Sequence, residues 1–95
     1  MSFRYKKIDR NQKSIVEALR KAGASVQSIA SIGRGCPDLL VGYRKLNFLF
    51  EVKCHDCPPS HKKLTADELE WQLAWWGECH VIDTAEQALK VIGAT

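Results

Sequence analysis

Apolar and polar positions along this chain change period several times, and each change marks an element. From Asp9 the spacing is helical: Gln12, Ile15, Leu19 and Ala22 recur at three and four residues, and Gly23 supplies a stop. Asp9 and Gln12 have the spacing of a capping box, which starts the helix there and leaves residues 1–8, MSFRYKKI, as a basic, irregular arm. Glu17 falls opposite the Ile15/Leu19 face and is expected in solvent. Ala24 to Ile32 reads as a first strand. Leu39 to Tyr43 and Phe48 to Val52 are rich in branched and aromatic residues, and the polar segment Arg44-Lys45-Leu46-Asn47 turns between them, so the pair reads as a β-hairpin with two central strands. CHDCPPSHKKLT, with two prolines, is an irregular connection. Thr65 to Trp76 is the best-marked helix: Thr65 and Glu68 form a capping box, Leu64 and Leu69 a hydrophobic staple, and Leu69, Leu73 and Trp76 a buried stripe. Trp71 and Trp75 lie on an adjoining face, where core packing is the common fate and base stacking or a subunit interface the alternatives. Gly77 ends that helix, Cys79 to Ile82 makes a short strand, and Asp83 or Thr84 caps a final helix through Val91 that stops at Gly93. The expected class is α/β, in the order α-β-β-β-α-β-α, a mixed central sheet flanked by helices within one domain over residues 1–95.

The hairpin carries the first sign of chemistry. Side chains alternate faces along a strand, so Glu51 and Lys53 share one face while Phe48, Phe50 and Val52 share the other. A loop of two or four residues puts Asp38 on the Glu51/Lys53 face. Two carboxylates and an amine then meet at one end of the hairpin, a costly arrangement in a sheet unless the charges are paired or hold a metal. Magnesium or manganese suits two carboxylates, with the Val52 carbonyl as a further ligand; it would polarise a phosphoryl oxygen and lower the pKa of a bound water. Lys53 would orient that water or neutralise developing charge. The plain alternative is a surface Glu-Lys pair.

Charge placement supports a phosphate partner. The net charge is +3, but residues 1–53 hold eleven Lys/Arg against four Asp/Glu while residues 54–95 hold three against seven. The hairpin half is therefore the basic one, as expected of a surface that meets nucleic acid. Gly33-Arg34-Gly35 makes a small-residue loop beside Asp38, where DNA could approach closely, and Arg34, Lys62 and Lys63 are the candidates for phosphate contacts. No apolar run is long enough to span a bilayer and no signal segment leads the chain, so a cytoplasmic location with four reduced cysteines is expected. A second constellation, Cys54-His55-Asp56-Cys57 with His61, Cys79 and His80, leaves zinc or redox use open; the prolines after Cys57 and the adjacency of Cys79 and His80 argue against both.

Taken together, G-x-P-D at Gly35 to Asp38 and E-V-K at Glu51 to Lys53 resemble the PD-(D/E)xK nuclease superfamily. The nearer likeness is to its VRR-NUC group of small stand-alone nucleases, often encoded by phages or prophages. It extends over most of the chain: D-x-N-Q at Asp9, Asn11 and Gln12, GCPDLLVG, NFLFEVK, and PPS-x-K-K-L-T-A-D-E before the tryptophan-rich helix. The resemblance implies a restriction-endonuclease-like core, metal-ligand roles for Asp38 and Glu51 and a catalytic role for Lys53. It also implies DNA endonuclease activity with Mg2+ or Mn2+, and dimers that act on branched DNA such as Holliday junctions. Gln12 stands where relatives often have a metal-binding glutamate, and Glu68 where some have a glutamine; with Asp9 they are accessory candidates, each also explained as a helix cap. The competing reading is a nucleic-acid-binding module without cleavage, or a C-x-x-C zinc or redox protein.

Overall fold

The computed structural model describes residues 3–61 and 63–95, and of residues 3–10 and His61 the backbone alone. The order is α1 (Phe3–Lys21), β1 (Ser25–Ser28), β2 (Leu39–Tyr43), β3 (Leu46–Val52), α2 (Ala66–Ala74), β4 (His80–Ile82) and α3 (Ala85–Ile92), with short 3-10 turns at Ala30–Ile32 and Pro59–His61. The α-β-β-β-α-β-α order is thus the one the periodicity predicts. The four strands form one sheet in the order β1-β2-β3-β4. Its first three strands pair antiparallel and β4 joins β3 in parallel, so the sheet is mixed and β2 and β3 are its central strands. A parallel return needs a crossover, and α2 supplies it.

The hairpin turn is tighter than expected. Leu46 and Asn47 belong to β3, and only Arg44 and Lys45 turn, both with positive φ (52° and 70°). Two successive left-handed residues match the twist of the flanking strands, as in a type I′ turn. Shortening the loop from four residues to two leaves the pairing parity unchanged, so Leu39 faces Phe50 and Val41 faces Phe48. Leu39, Val41, Phe50, Val52 and Ile82 consequently share one face, and Ile15 and Leu19 of α1 with Ala88 and Ile92 of α3 close the core over it. Of Asp83 and Thr84, the two residues expected to cap α3, Thr84 does so, its hydroxyl accepting from the Gln87 N–H, and left-handed Gly93 ends the helix as predicted.

Three expectations are corrected. The helix predicted from Asp9 begins at Phe3, so the basic segment before Asp9 is helical from Phe3, and Asp9 and Gln12 are interior positions without a capping box. With no Gly or Pro before Gly23, nothing in this stretch stops a helix from extending backwards. The first strand spans Ser25–Ser28, and Ala30–Ile32 winds into a 3-10 turn after Ile29 N–H bonds to the Asp38 carbonyl. The helix expected to run to Trp76 ends at Ala74 with Trp75 extended, and the predicted buried stripe faces solvent: Leu73 is 78% and Trp76, beyond the helix, 101% exposed, and Leu69 half exposed. The apolar face of the sheet is already filled by α1 and α3, so α2 lies on the other face and turns Glu68 and Trp71 toward it.

Candidate active site

The site grows from the end of the hairpin. Pro37 is fully buried and sets the entry of β2. One step beyond the Leu39–Phe50 pair, Asp38 comes opposite Glu51, on the face turned away from α1 and α3. Asp38 is held twice: its N–H donates to the Phe50 carbonyl (3.0 Å), and its Oδ2 accepts from the Val52 N–H (2.8 Å). Glu51 is 3% exposed, the one charged residue of the buried interior among the described residues. Lys53 Nζ lies 3.8 Å from Glu51 Oε2 and 2.5 Å from Glu68 Oε1. The three residues singled out in the sequence are therefore together, as the hairpin parity requires.

Glu68 joins them. The Thr65–Glu68 capping box is present, the Glu68 carboxylate accepting from the Thr65 N–H (2.8 Å) and Thr65 Oγ1 from the Glu68 N–H (3.2 Å). The same Oε1 that caps the helix also accepts from Lys53 Nζ. Cap and site residue are not alternatives here: the cap aims the carboxylate at the amine.

Asn11 has a part that the sequence reasoning did not assign. Its Nδ2 donates to the Lys53 carbonyl (2.6 Å) and to the Asp83 carbonyl (3.1 Å), fastening α1 to the ends of β3 and β4. The Lys53 N–H in turn donates to the Ile82 carbonyl (2.8 Å). A signal for this was present, since Asn11, Ile15 and Leu19 are spaced by four and a polar residue on a core stripe needs buried partners.

The electrostatics follow from burial. Desolvation, first, and then the facing Asp38 and the nearby Glu68 push the Glu51 carboxyl up to about 9, so in the metal-free site it holds a proton. Burial also raises Asp38, against the opposing effect of the Val52 N–H it accepts. Glu68 is lowered despite its own desolvation, because the Lys53 amine and the Thr65 N–H favour its charged form. Three carboxyl groups thus share one amine.

That imbalance fits a divalent cation. Among the described residues no set of three or more His, Cys, Asp and Glu forms a ready-made metal cage. Magnesium and manganese do not require one, since magnesium commonly binds through one or two carboxylates and completes its shell with water and substrate phosphate. The Val52 N–H points at Asp38, and a strand residue presents its N–H and C=O to the same edge, so the Val52 carbonyl faces the edge of β3 from which Asp38 approaches.

The remaining candidates are placed as follows. Arg34 is exposed at positive φ (55°) between Gly33 and Gly35. Gly35 has φ +81°, and a Cβ there would come within 2.2 Å of the Asp67 carbonyl oxygen, so the loop backbone rests against the first turn of α2. Lys63 is exposed on the connection into α2. Lys62 and the side chain of Asp9 lie outside the described residues. Gln12 lines a shallow outer pocket with Lys13, Val16, Glu17 and Arg20, and among the described residues it makes no hydrogen bond to the carboxylates. Cys54 and Cys57 are joined by a disulfide, with Cα atoms 5.5 Å apart, where reduced thiols were expected. The turn after β3 brings the two together with both sulfurs buried, and in this form neither offers a thiolate to zinc. Cys36 and Cys79 are free, and burial and then the Glu51 charge raise both thiols, Cys79 to about 11.

No family model matches the sequence, and no curated protein matches it. Among solved structures the chain is similar to one described as "VRR_NUC domain", with 27% identity and a TM-score of 0.67 over 92% of this chain and 95% of that one. In element order, mixed sheet and nearly its whole length, the chain therefore has the restriction-endonuclease-like fold of a VRR-NUC domain, the family its motifs resemble.

Proposed function

We propose that the protein is a single-domain, metal-dependent endonuclease that hydrolyses phosphodiester bonds in DNA. The observation that carries this reading is the pairing of a fully buried Glu51 with Asp38 at the hairpin end, with the Lys53 amine 3.8 Å from Glu51. Likeness to a VRR-NUC domain supports it from outside the site. Asp38, Glu51 and the Val52 carbonyl are the groups that would hold Mg2+ or Mn2+. When bound, the ion supplies Lewis acidity toward a phosphoryl oxygen and acidifies water. Lys53, oriented by Glu68 and Asn11, holds its ammonium where negative charge develops on the phosphate. Arg34 and Lys63 meet the flanking phosphates at the exposed edge. Two copies pairing through the exposed Leu69, Leu73 and Trp76 side chains would present two such sites to branched DNA, such as a Holliday junction, with matching two-fold symmetry.

One experiment tests these statements together. Purified protein, its mass in solution measured, is incubated with linear and four-way-junction DNA in magnesium, manganese or EDTA. Cleavage is expected with either metal and none in EDTA, with the junction cut faster. Glu51→Gln is expected to cut at least about 100-fold more slowly, as for loss of a group that stabilises transition-state charge. Undiminished cutting by Glu51→Gln, or cutting in EDTA, would sink the mechanism.

A further inference from the structure

A groove of about 580 Å³ runs between α2 and the site-bearing face of the sheet. Leu40 and Leu49 of the central strands form its floor, Ile29 and Ile32 one wall, and Trp71 and Trp75 the other. Its volume falls among those of small-ligand sites, about 300–1,000 Å³. The two indoles are stacked, with centroids 4.7 Å apart and planes 17° from parallel, and Trp75 remains 47% exposed. Asn47 and Glu78 add polar atoms among these apolar walls.

The groove adjoins the carboxylate site. Cys36, which lines it, stands two residues before Asp38, and Leu49 on its floor shares a strand face with Glu51 two residues on. Arg34, exposed on the loop, lies between Ile32 and Cys36, two lining residues. A strand whose phosphates lie along Arg34 and the carboxylates therefore has a base within reach of the groove. The Glu78 carboxylate opposes a phosphate there but can accept from the N–H donor that each base carries, so the charge pattern favours the base and keeps the backbone outside.

We infer that this groove stacks an unpaired nucleobase of the DNA strand on which the carboxylate site acts; the inference rests on the nuclease reading. Stacking uses a π-face that every base has, so the groove selects unpaired nucleotides, as at a branch point or single-stranded end, without selecting sequence. A base in a duplex is already stacked and would have to leave its neighbours to enter.

The test is a binding measurement in EDTA, where the cation is absent. A fluorescently labelled oligothymidylate strand is compared with a strand of equal length whose sugars are all abasic, so that phosphate number is constant. The wild type is expected to bind the base-bearing strand about tenfold more tightly, with quenching of tryptophan emission. Trp75→Ala is expected to remove the preference and Trp75→Phe to keep most of it. Equal affinity of the wild type for the two strands overturns the inference, and needs no variant to fold. A preference that survives in Trp75→Ala also overturns it, and if that variant becomes monomeric the groove is a subunit interface. Undiminished cleavage by Glu51→Gln would defeat the nuclease reading and leave this strand comparison unchanged, so the two failures are distinguishable.

Discussion

A single carboxylate oxygen, Glu68 Oε1, accepts from both the Thr65 N–H and Lys53 Nζ, and so couples the start of a helix to a site amine. Glutamine at that position preserves the cap, because its side-chain oxygen still accepts from an N–H, but it removes the charge facing Lys53. Glu68→Gln is therefore expected to melt within a few degrees of the wild type while cleaving about 10- to 100-fold more slowly, the scale of losses from a misplaced catalytic group. Unchanged cleavage would reduce Glu68 to a cap. At this scale the sequence was legible where spacing decides contact: strand alternation and hairpin parity alone place Asp38, Glu51 and Lys53 on one face. It was not legible where contact depends on packing between distant elements. The reach of Glu68 to Lys53 and of Asn11 to two carbonyls spans separations that no local period encodes.

At the scale of elements, α2 owes its position to polar and backbone contacts rather than to a buried stripe, for none of its residues is buried. The Gly33–Gly35 loop rests on its first turn, and Gly35 is required there both by its φ of +81° and by the 2.2 Å approach to Asp67 O that any Cβ would make. Gly35→Ala is expected to cost about 2 kcal/mol or more in denaturant unfolding, from left-handed strain plus the backbone clash. It should also slow cleavage, since the displaced helix carries Glu68. An unfolding midpoint equal to wild type would mean that the loop does not bear on the helix. The predicted stripe of Leu69, Leu73 and Trp76 fails because the helix ends at Ala74, short of Trp76, and because periodicity alone does not say which face of a helix meets the sheet.

The stability of the whole molecule reflects the strained charge balance of its site. With metal removed, Glu51 keeps its proton in the folded state up to about pH 9, whereas in the unfolded chain it releases it near 4.5. The folded state thus binds more protons in that window, so stability is full below about 4.5 and falls as pH rises toward 9, by at most about 1.4 kcal/mol per pH unit. Asp38, raised as well, acts in the same direction. Glu68, lowered, acts oppositely, its contribution being lost as pH falls below the ordinary glutamate range. Melting in EDTA should accordingly decline from mildly acidic to alkaline pH, the decline should flatten in Glu51→Gln, and magnesium should stabilise the wild type more than the variant. A wild-type melting temperature that rises with pH would refute this account. By itself the sequence determined the order of elements, the hairpin, the cap at Thr65, the start of α3 to within Asp83 or Thr84, and the meeting of Asp38, Glu51 and Lys53, because each follows from a period of two or 3.6 and a turn of even length. Only the tertiary structure decided which face of α2 meets the sheet, that Glu68 and Asn11 support the site, and that a tryptophan-walled groove adjoins it. These depend on which sheet face α1 and α3 had already covered, a competition for burial between segments far apart in the chain.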